Sequence, residues 1–511
     1  MTTHSFPRTE IKYPEIVFGI VSPVGTNIAA TIAELKGQLT AKGYDVCHIK
    51  ISDRFQELAR RLQYSGLRSA SRFDRVSTYI SFGDYLRKTF GNAFLAALAI
   101  SEIAFFRQSG DQQFSQKAYI VDQLKTEDEL ELLREVYGAC FLQLSIYSAR
   151  DIRVDHLSQV MARDEKKRDK NSYRDRAEKL VVIDEDELAV QHGQKVGKIF
   201  QLADVVINAD IFDDLNNVPL QVERFVELLF QNNGYSPNRL EYGMYLAHSA
   251  ALRSLDLSRQ VGAAIFRASG EVASLGANEV PKAGGGTYWC DDPFDAREFK
   301  LGSDSNDARK TELLNEVLEI VLGKEFELKP DTKKQLDASQ FMDALEYGRI
   351  VHAEMSALSD AARLGISVAG GTLYCTTFPC HMCSKHIVAS GLRKLVFLEP
   401  YPKSLTSDLH SDAVSIEGTS RGKYSTYPAV EFVPFFGITP RRYREFFYRK
   451  KRKSGGEFEP YHKGEARPFI SIMAPWYGRR ESEIIEIFNE KLPAAKSITE
   501  IFPTEVTPVT D

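Results

Sequence analysis

The hydrophobic pattern opens with IVFGIV, residues 16–21, apolar at every position. A run without polar interruption fits a strand buried on both faces. Beyond a turn containing Gly and Pro, Ile28, Ile32, Leu35 and Leu39 recur at helical spacing, and YDVCHIKIS predicts the next strand. CFLQLSIY (140–147), LVVI (180–183) and ADVVIN (203–208) continue the series of strands, with helical patterns between them. This alternation predicts a parallel sheet covered by helices on both faces. AFLAALAI (93–100) reads as a buried helix, far shorter than the ~18 apolar residues that span a bilayer.

QVERFVELLF closes this region, and QNNGYSPN (231–238) marks a boundary. A second α/β pattern begins at Arg239, with VGAAIF, GTLYCTT and KLVFLEP as strands. From residue 450 onward, KKRKSGGEFEPYHKGEARP has the composition of a linker or mobile arm, and the last dozen residues are expected to fray. The predicted organisation is a parallel-sheet domain over 1–232, a second α/β domain over 238–450 and an extension over 451–511.

Composition changes this picture little. At 511 residues the chain is too long for one ordinary core. With 43% hydrophobic and 26% charged residues it has a soluble globular balance, and a net charge of -5 gives no general attraction to nucleic acid or anionic membrane. Six cysteines in this length are not a disulfide framework, and MTTHSFPRTEIKYPE lacks the charged-then-apolar pattern of a secretory signal. The expectation is a cytoplasmic protein with no membrane partner.

The candidate chemistry lies in RIVHAEMSAL and TLYCTTFPCHMCSKHIVASG. His352 and Glu354 flank one alanine; Cys380 and Cys383 follow Pro379. Three N/S donors on zinc leave the fourth tetrahedral position to water, the pattern of a catalytic site. The cysteines would open a helix, where unpaired N–H groups favour thiolates. Glu354 is placed to move protons without ligating. The same residues also admit a structural Cys-x-x-Cys beside a surface His-Ala-Glu.

The spacing His-x-Glu…Pro-Cys-x-x-Cys resembles that of the zinc nucleobase deaminases. TTFPCHMCSKHIVASGLRKLVF resembles the deoxycytidylate deaminase family in particular, and SRQVGAAIF (258–266) and SLGANEVPK (274–282) look like its first two strands. The resemblance implies a cytidine-deaminase-like αβα sandwich, Zn2+ on His352, Cys380 and Cys383, and hydrolytic deamination with Glu354 as proton carrier. It implies that Asn278 lines the nucleotide pocket, with Glu279 standing where the family carries glycine. Arg259, Lys403 and Ser404 are further candidates for substrate binding, the last two for its phosphate or else as solvated loop. The insertion GGGTYWCDDPFDAREFKLGSDSND either closes over substrate, with Tyr288 and Trp289 as walls, or serves an oligomer contact.

GIVSPVGTN (19–27) stands where a P-loop would, between strand and helix. Aligned on Gly25, it has Ile20 for the first glycine, Thr26 for the lysine and Asn27 for the Ser/Thr. Ser22, Gly25, Thr26 and Asn27 are candidates to hold phosphate through backbone N–H groups and the helix dipole. Without the lysine, efficient phosphoryl transfer is not expected. This half resembles the P-loop nucleotide kinases, with RDEKKRDKNSYRDRAEK at the lid position and VVIDEDE like a magnesium-site strand.

The pairing of a degenerate kinase-like domain with a deoxycytidylate-deaminase-like domain resembles the bacterial anti-phage deoxycytidine nucleotide deaminases. That resemblance implies conversion of dCMP or dCTP to dUMP or dUTP plus ammonia, depleting the pool during infection. It implies a regulatory N-terminal domain able to take an NTP, an inhibitory small RNA in some members, and a homo-oligomer, commonly a hexamer. Two other readings stand beside it. One is a polynucleotide (ssDNA or RNA) cytidine deaminase, drawing on RRYREFFYRKKRK (441–453), where basic and aromatic residues interleave. The other is an RNA-binding regulator with structural zinc.

Overall fold

In the computed structural model all six residues of β1 (Ile16–Val21) are buried, as their unbroken apolar run requires. The structure describes residues 11–108, 114–186, 196–323, 327–337, 339–344, 346–399, 404–449, 452–459, 461 and 466–492. The chain divides into two units, one formed by Met1–Glu241 with Pro434–Asp511 and the other by Tyr242–Val433.

In the first unit β1 pairs in parallel with β3 (Lys117–Asp122) and β4 (Phe141–Tyr147). β2 (Asp45–Lys50) flanks β3 and β5 (Val205–Asn208) flanks β4, giving five parallel strands in the order β2-β3-β1-β4-β5. The expected parallel α/β core is present. LVVI, however, is helical: it lies in the helix Arg174–Asp186. Tyr173, Ala177, Leu180 and Val181 share one helical face and pack on Val154, Leu157 and Met161 of the helix Arg150–Asp164. A four-residue apolar run carries no period of its own; the spacing of its neighbours decides the element. The strand that completes the sheet is β3, KAYIVD, which the sequence pattern did not single out.

The second unit contains an antiparallel arm, β6 (Gly262–Phe266) with β7 (Val272–Ala277), and β8 (Thr372–Thr377) antiparallel to β6. β9 (Lys394–Glu399) runs parallel to β8, and β10 (Val414–Ile416) parallel to β11 (Val430–Pro434), in the order β7-β6-β8-β9-β11-β10. VGAAIF, GTLYCTT and KLVFLEP are strands as expected.

The expected boundary at 450 differs from the structure. The chain leaves the second sheet at Pro434, and β12 (Gly437–Ile438) joins the first sheet antiparallel to β5. The run at 441–453 follows it: Tyr443 and Phe446 are buried, and Arg442 lies over Phe469 while donating to the carbonyls of Ala139 and Phe141. Much of the extension is core rather than arm. The helix Tyr477–Lys491 buries Tyr477, Glu481, Ile484 and Phe488, which recur at helical spacing. Arg107, itself buried, pairs with Glu15 at 2.8 Å and donates to Glu481 at 2.9 Å. No single described helix is long and apolar enough to cross a membrane.

The buried Arg107 network generates a prediction. Glu481→Ala should cost about 3–5 kcal/mol because Arg107 keeps its charge and loses a partner. Arg480→Ala breaks an exposed pair with Glu135 and should cost about 1 kcal/mol or less. Denaturant unfolding of both variants distinguishes the two; equal losses would show that the buried pair has no special weight.

Candidate active site

His352 and Cys380 hold equivalent places, each being the N-terminal capping residue of a helix with extended backbone. The helices are Ala353–Arg363 and His381–Ala389. Their first turns carry unpaired N–H groups and the positive ends of the helix dipoles, so anionic sulfur is favoured where the caps meet. Gly276 in β7 sets the first helix in place. A Cβ at Gly276 would lie 2.1 Å from the Ala353 carbonyl oxygen and 2.5 Å from the Ala357 nitrogen. The helix bearing His352 and Glu354 therefore rests directly on the strand.

Cys380 Sγ and Cys383 Sγ each lie 3.4 Å from His352 Nδ1. Zn–S and Zn–N bonds of ~2.3 and ~2.05 Å at the tetrahedral angle separate S from N by about 3.5 Å, so these donors sit at coordination spacing. Among the described residues this is the one group of His, Cys, Asp and Glu side chains so arranged. Hydrogen bonding from Cys383, and then from His352, pulls the Cys380 thiol down and the same contact, with burial, pushes the Cys383 thiol up, while hydrogen bonding to Cys380 pushes the His352 imidazole up to about 9. The cluster thus favours a thiolate, the form a cation binds. Glu354 is buried beside it, and burial pushes its carboxyl above the usual range against the pull of the imidazole.

A cavity of about 250 Å³ includes His352, Glu354 and Cys380, with Val261, Thr377 and Phe378 among its walls. Asn278 lines it, but both amide hydrogens are committed, to Asp256 Oδ2 at 2.6 Å and to the Arg259 carbonyl at 2.8 Å. Its Oδ1 accepts from the Val261 nitrogen at 2.7 Å. Asn278 thus holds the 256–261 loop in shape. Arg259 also faces the cavity, with its guanidinium 3.3 Å from Glu399, which in turn accepts from Thr377. Ser404 is not brought to this cavity: its hydroxyl donates to the Pro379 carbonyl at 2.8 Å and bolsters the turn before Cys380. Lys403 lies outside the described residues.

The insertion does contribute walls, though not the expected ones. Trp289 is stacked against Arg253, 3.4 Å from the ring centroid, and neither it nor Tyr288 lines the cavity. Asp304, Asn306, Asp307 and Lys310 do. Lys310 donates to the Met342 carbonyl at 2.7 Å and pairs with Asp307 at 2.8 Å. Glu279 roots this segment: its carboxylate accepts from the Leu255 and Val280 nitrogens and lies 3.6 Å from buried Arg297. Asp256 and Lys310 were missed in the sequence because neither lies within a motif; Glu279, as a departure from the family's glycine, was the available signal.

Residues 237–399 match the cytidine and deoxycytidylate deaminase zinc-binding region. A deoxycytidylate deaminase of Enterobacteria phage T2 is 48% identical over 54 residues, 11% of this chain and 29% of the relative. A probable deoxycytidylate deaminase of Drosophila melanogaster is 28% identical over 181 residues, 35% of this chain and 69% of the relative. A dCMP deaminase structure from cyanophage S-TIM5 aligns with 39% of this chain and 100% of that one, at 19% identity and a TM-score of 0.21. The chain spans less than a third of the length of the phage T2 relative. The zinc-binding match and the His/Cys/Cys donor set together make zinc the cofactor.

Two predictions follow from this geometry. His352→Ala and Cys383→Ala should purify without zinc, whereas Glu354→Ala should keep about one ion per chain; metal analysis decides, and loss of zinc from Glu354→Ala would contradict the assignment. Gly276→Ala should push the helix off β7, costing about 1–3 kcal/mol by overpacking and lowering zinc retention. Unfolding and zinc content indistinguishable from the parent would show that the close approach is not needed.

Proposed function

We propose that the second unit is a zinc-dependent hydrolytic deaminase of deoxycytidine nucleotides. One observation carries this reading: a cluster of three metal-donor side chains lies at a cavity that also holds a buried carboxylate outside the cluster, Glu354. When bound, zinc supplies the Lewis acidity that makes water nucleophilic near neutral pH. Glu354 takes one proton from the attacking water and delivers it to ring N3, then carries the remaining proton of the new C4 hydroxyl to the amine as it leaves. A carbonyl remains at C4 and ammonia departs.

Val261 and Phe378 give the base apolar walls, and the Asn278 contacts keep the 256–261 loop from collapsing into its place. Arg259 and Lys310 are the Arg and Lys side chains that line this cavity, Arg259 beside Glu399 and Lys310 beside Asp307, and a phosphate would have to compete with those carboxylates for them. Asp256, Asp304 and Asp307 share the cavity, so a monophosphate or a magnesium-bound triphosphate meets less repulsion than a bare triphosphate. Relatives named as deoxycytidylate deaminases support the same substrate class. The polynucleotide reading is weakened, because Tyr443 and Phe446 of the basic-aromatic run are buried and unable to stack on bases, which leaves Tyr448 as its exposed ring. A role in phage defence, an inhibitory small RNA, a regulatory first unit and a hexamer rest on the sequence resemblance alone.

Ammonia release from dCMP, dCTP, deoxycytidine and a cytosine-containing oligonucleotide tests the proposal. At limiting substrate a nucleotide should turn over at least about tenfold faster than deoxycytidine, since each charge-assisted hydrogen bond to phosphate contributes ~1.5–3 kcal/mol. Equal rates on dCMP and deoxycytidine, or preference for the oligonucleotide, would overturn the substrate assignment.

A further inference from the structure

The first unit contains a larger cavity, of about 470 Å³, that the deaminase chemistry leaves unused. It is lined by the 22–28 loop, the end of β3 and the helices Arg72–Phe90 and Arg150–Asp164. Its charge is one-sided, with six Lys and Arg side chains facing it and Asp122 as the one carboxylate. Arg72, Arg87 and Lys125 are neutralised by Asp164, Glu129 and Asp184. Lys50, Arg75 and Arg163 have no ion-pair partner among the described residues. Like charges around one cavity repel, and an anion placed among them relieves the repulsion.

Asp122 supplies an independent sign of a ligand. It is 2% exposed, and its Oδ1 has no hydrogen-bond partner among the described residues. Its Oδ2 lies 3.8 Å from His48 Nε2, beyond hydrogen-bond distance. Thr26 Oγ1, on the loop, is likewise buried and unpartnered. Buried polar atoms are nearly always paired, so such atoms lining a cavity point to a missing partner. A carboxylate oxygen calls for a hydroxyl or amine hydrogen. Phe55, Tyr79, Val76 and Leu157 add an apolar wall suited to a flat ring.

The 22–28 loop is not an open phosphate cradle. The Val24 nitrogen donates to Asp184 at 2.7 Å, and Lys125 bridges Asp184 and the Ser22 carbonyl. Arg153 donates to the Val24 carbonyl, and His156 Nδ1 lies 2.8 Å from the Gly25 carbonyl. VVIDEDE, expected as a magnesium-site strand, instead supplies from a helix the carboxylate that occupies the Val24 amide. Gly25, at φ +91 with a Cβ position 2.8 Å from the Arg153 carbonyl, seats the loop on the helix Arg150–Asp164. Phosphate charge is left to the walls.

We propose that this cavity binds a nucleoside phosphate, with the phosphates on Lys50, Arg75 and Arg163 and a hydroxyl or amine of the nucleoside on Asp122. The site stands whether or not the second unit deaminates. Its test is calorimetric titration of the full chain carrying His352→Ala, with ATP, dCTP and inorganic tripolyphosphate as probes. At least one nucleotide should bind saturably at one site per chain. Asp122→Asn should weaken that binding at least about tenfold and leave tripolyphosphate unchanged, whereas Arg75→Ala with Arg163→Ala should weaken both at least about tenfold. Thermal unfolding confirms that the variants are folded, and the arginine pair, away from the buried core, keeps the test valid if Asp122→Asn is not. No saturable nucleotide binding, nucleotide affinity unmoved by either variant, or tripolyphosphate binding as tightly as the nucleotides would each overturn the proposal.

Discussion

Close contact between one helix and one strand underlies the catalytic arrangement. Because Gly276 has no side chain, the helix beginning at Ala353 lies on β7, and His352 at its cap reaches the sulfurs offered by the next helix. Two helix N-termini meeting there favour a thiolate and the cation that joins it. Glu354 lies buried in the first turn of the same helix, so the imidazole donor and the proton carrier share one short element.

The surroundings of this centre are held by a second set of contacts. Glu279 sits one residue past Asn278 and, with Arg297, ties the inserted segment to the strand ends. That segment then sends Asn306 and Lys310 to the cavity that holds Glu354. The same backbone that forms the metal site thus anchors polar groups that line the cavity. The Asn278 amide spends its hydrogens on the 256–261 loop, which gives the base-sized space its outline.

The parts legible in sequence were those with local causes. β1 is an unbroken apolar run, β4, β8 and β9 are runs rich in apolar and β-branched residues, and the metal donors lie within two short motifs with fixed spacing. Elements decided by distant partners were not legible. LVVI became helix because Tyr173 and Ala177 extend its face, and the segment after 450 became core because Glu481 meets Arg107 across 374 positions of sequence. Lys310 belongs to no motif, and only folding brings it to the cavity. Asp122 gave no signal because its strand was not recognised; its unpartnered oxygen is visible only in three dimensions.

The two units divide their chemistry. The first gathers positive charge around a buried carboxylate; the second gathers sulfur, imidazole and carboxylate around a metal position. The account rests most heavily on water displacing the amine of a cytosine nucleotide in the second unit. Mass spectrometry of the product formed from dCMP in water enriched in ¹⁸O tests this directly. The account predicts dUMP carrying one solvent oxygen, formed in step with one ammonia. Unchanged dCMP with zinc fully bound, or a product without solvent oxygen, would contradict it.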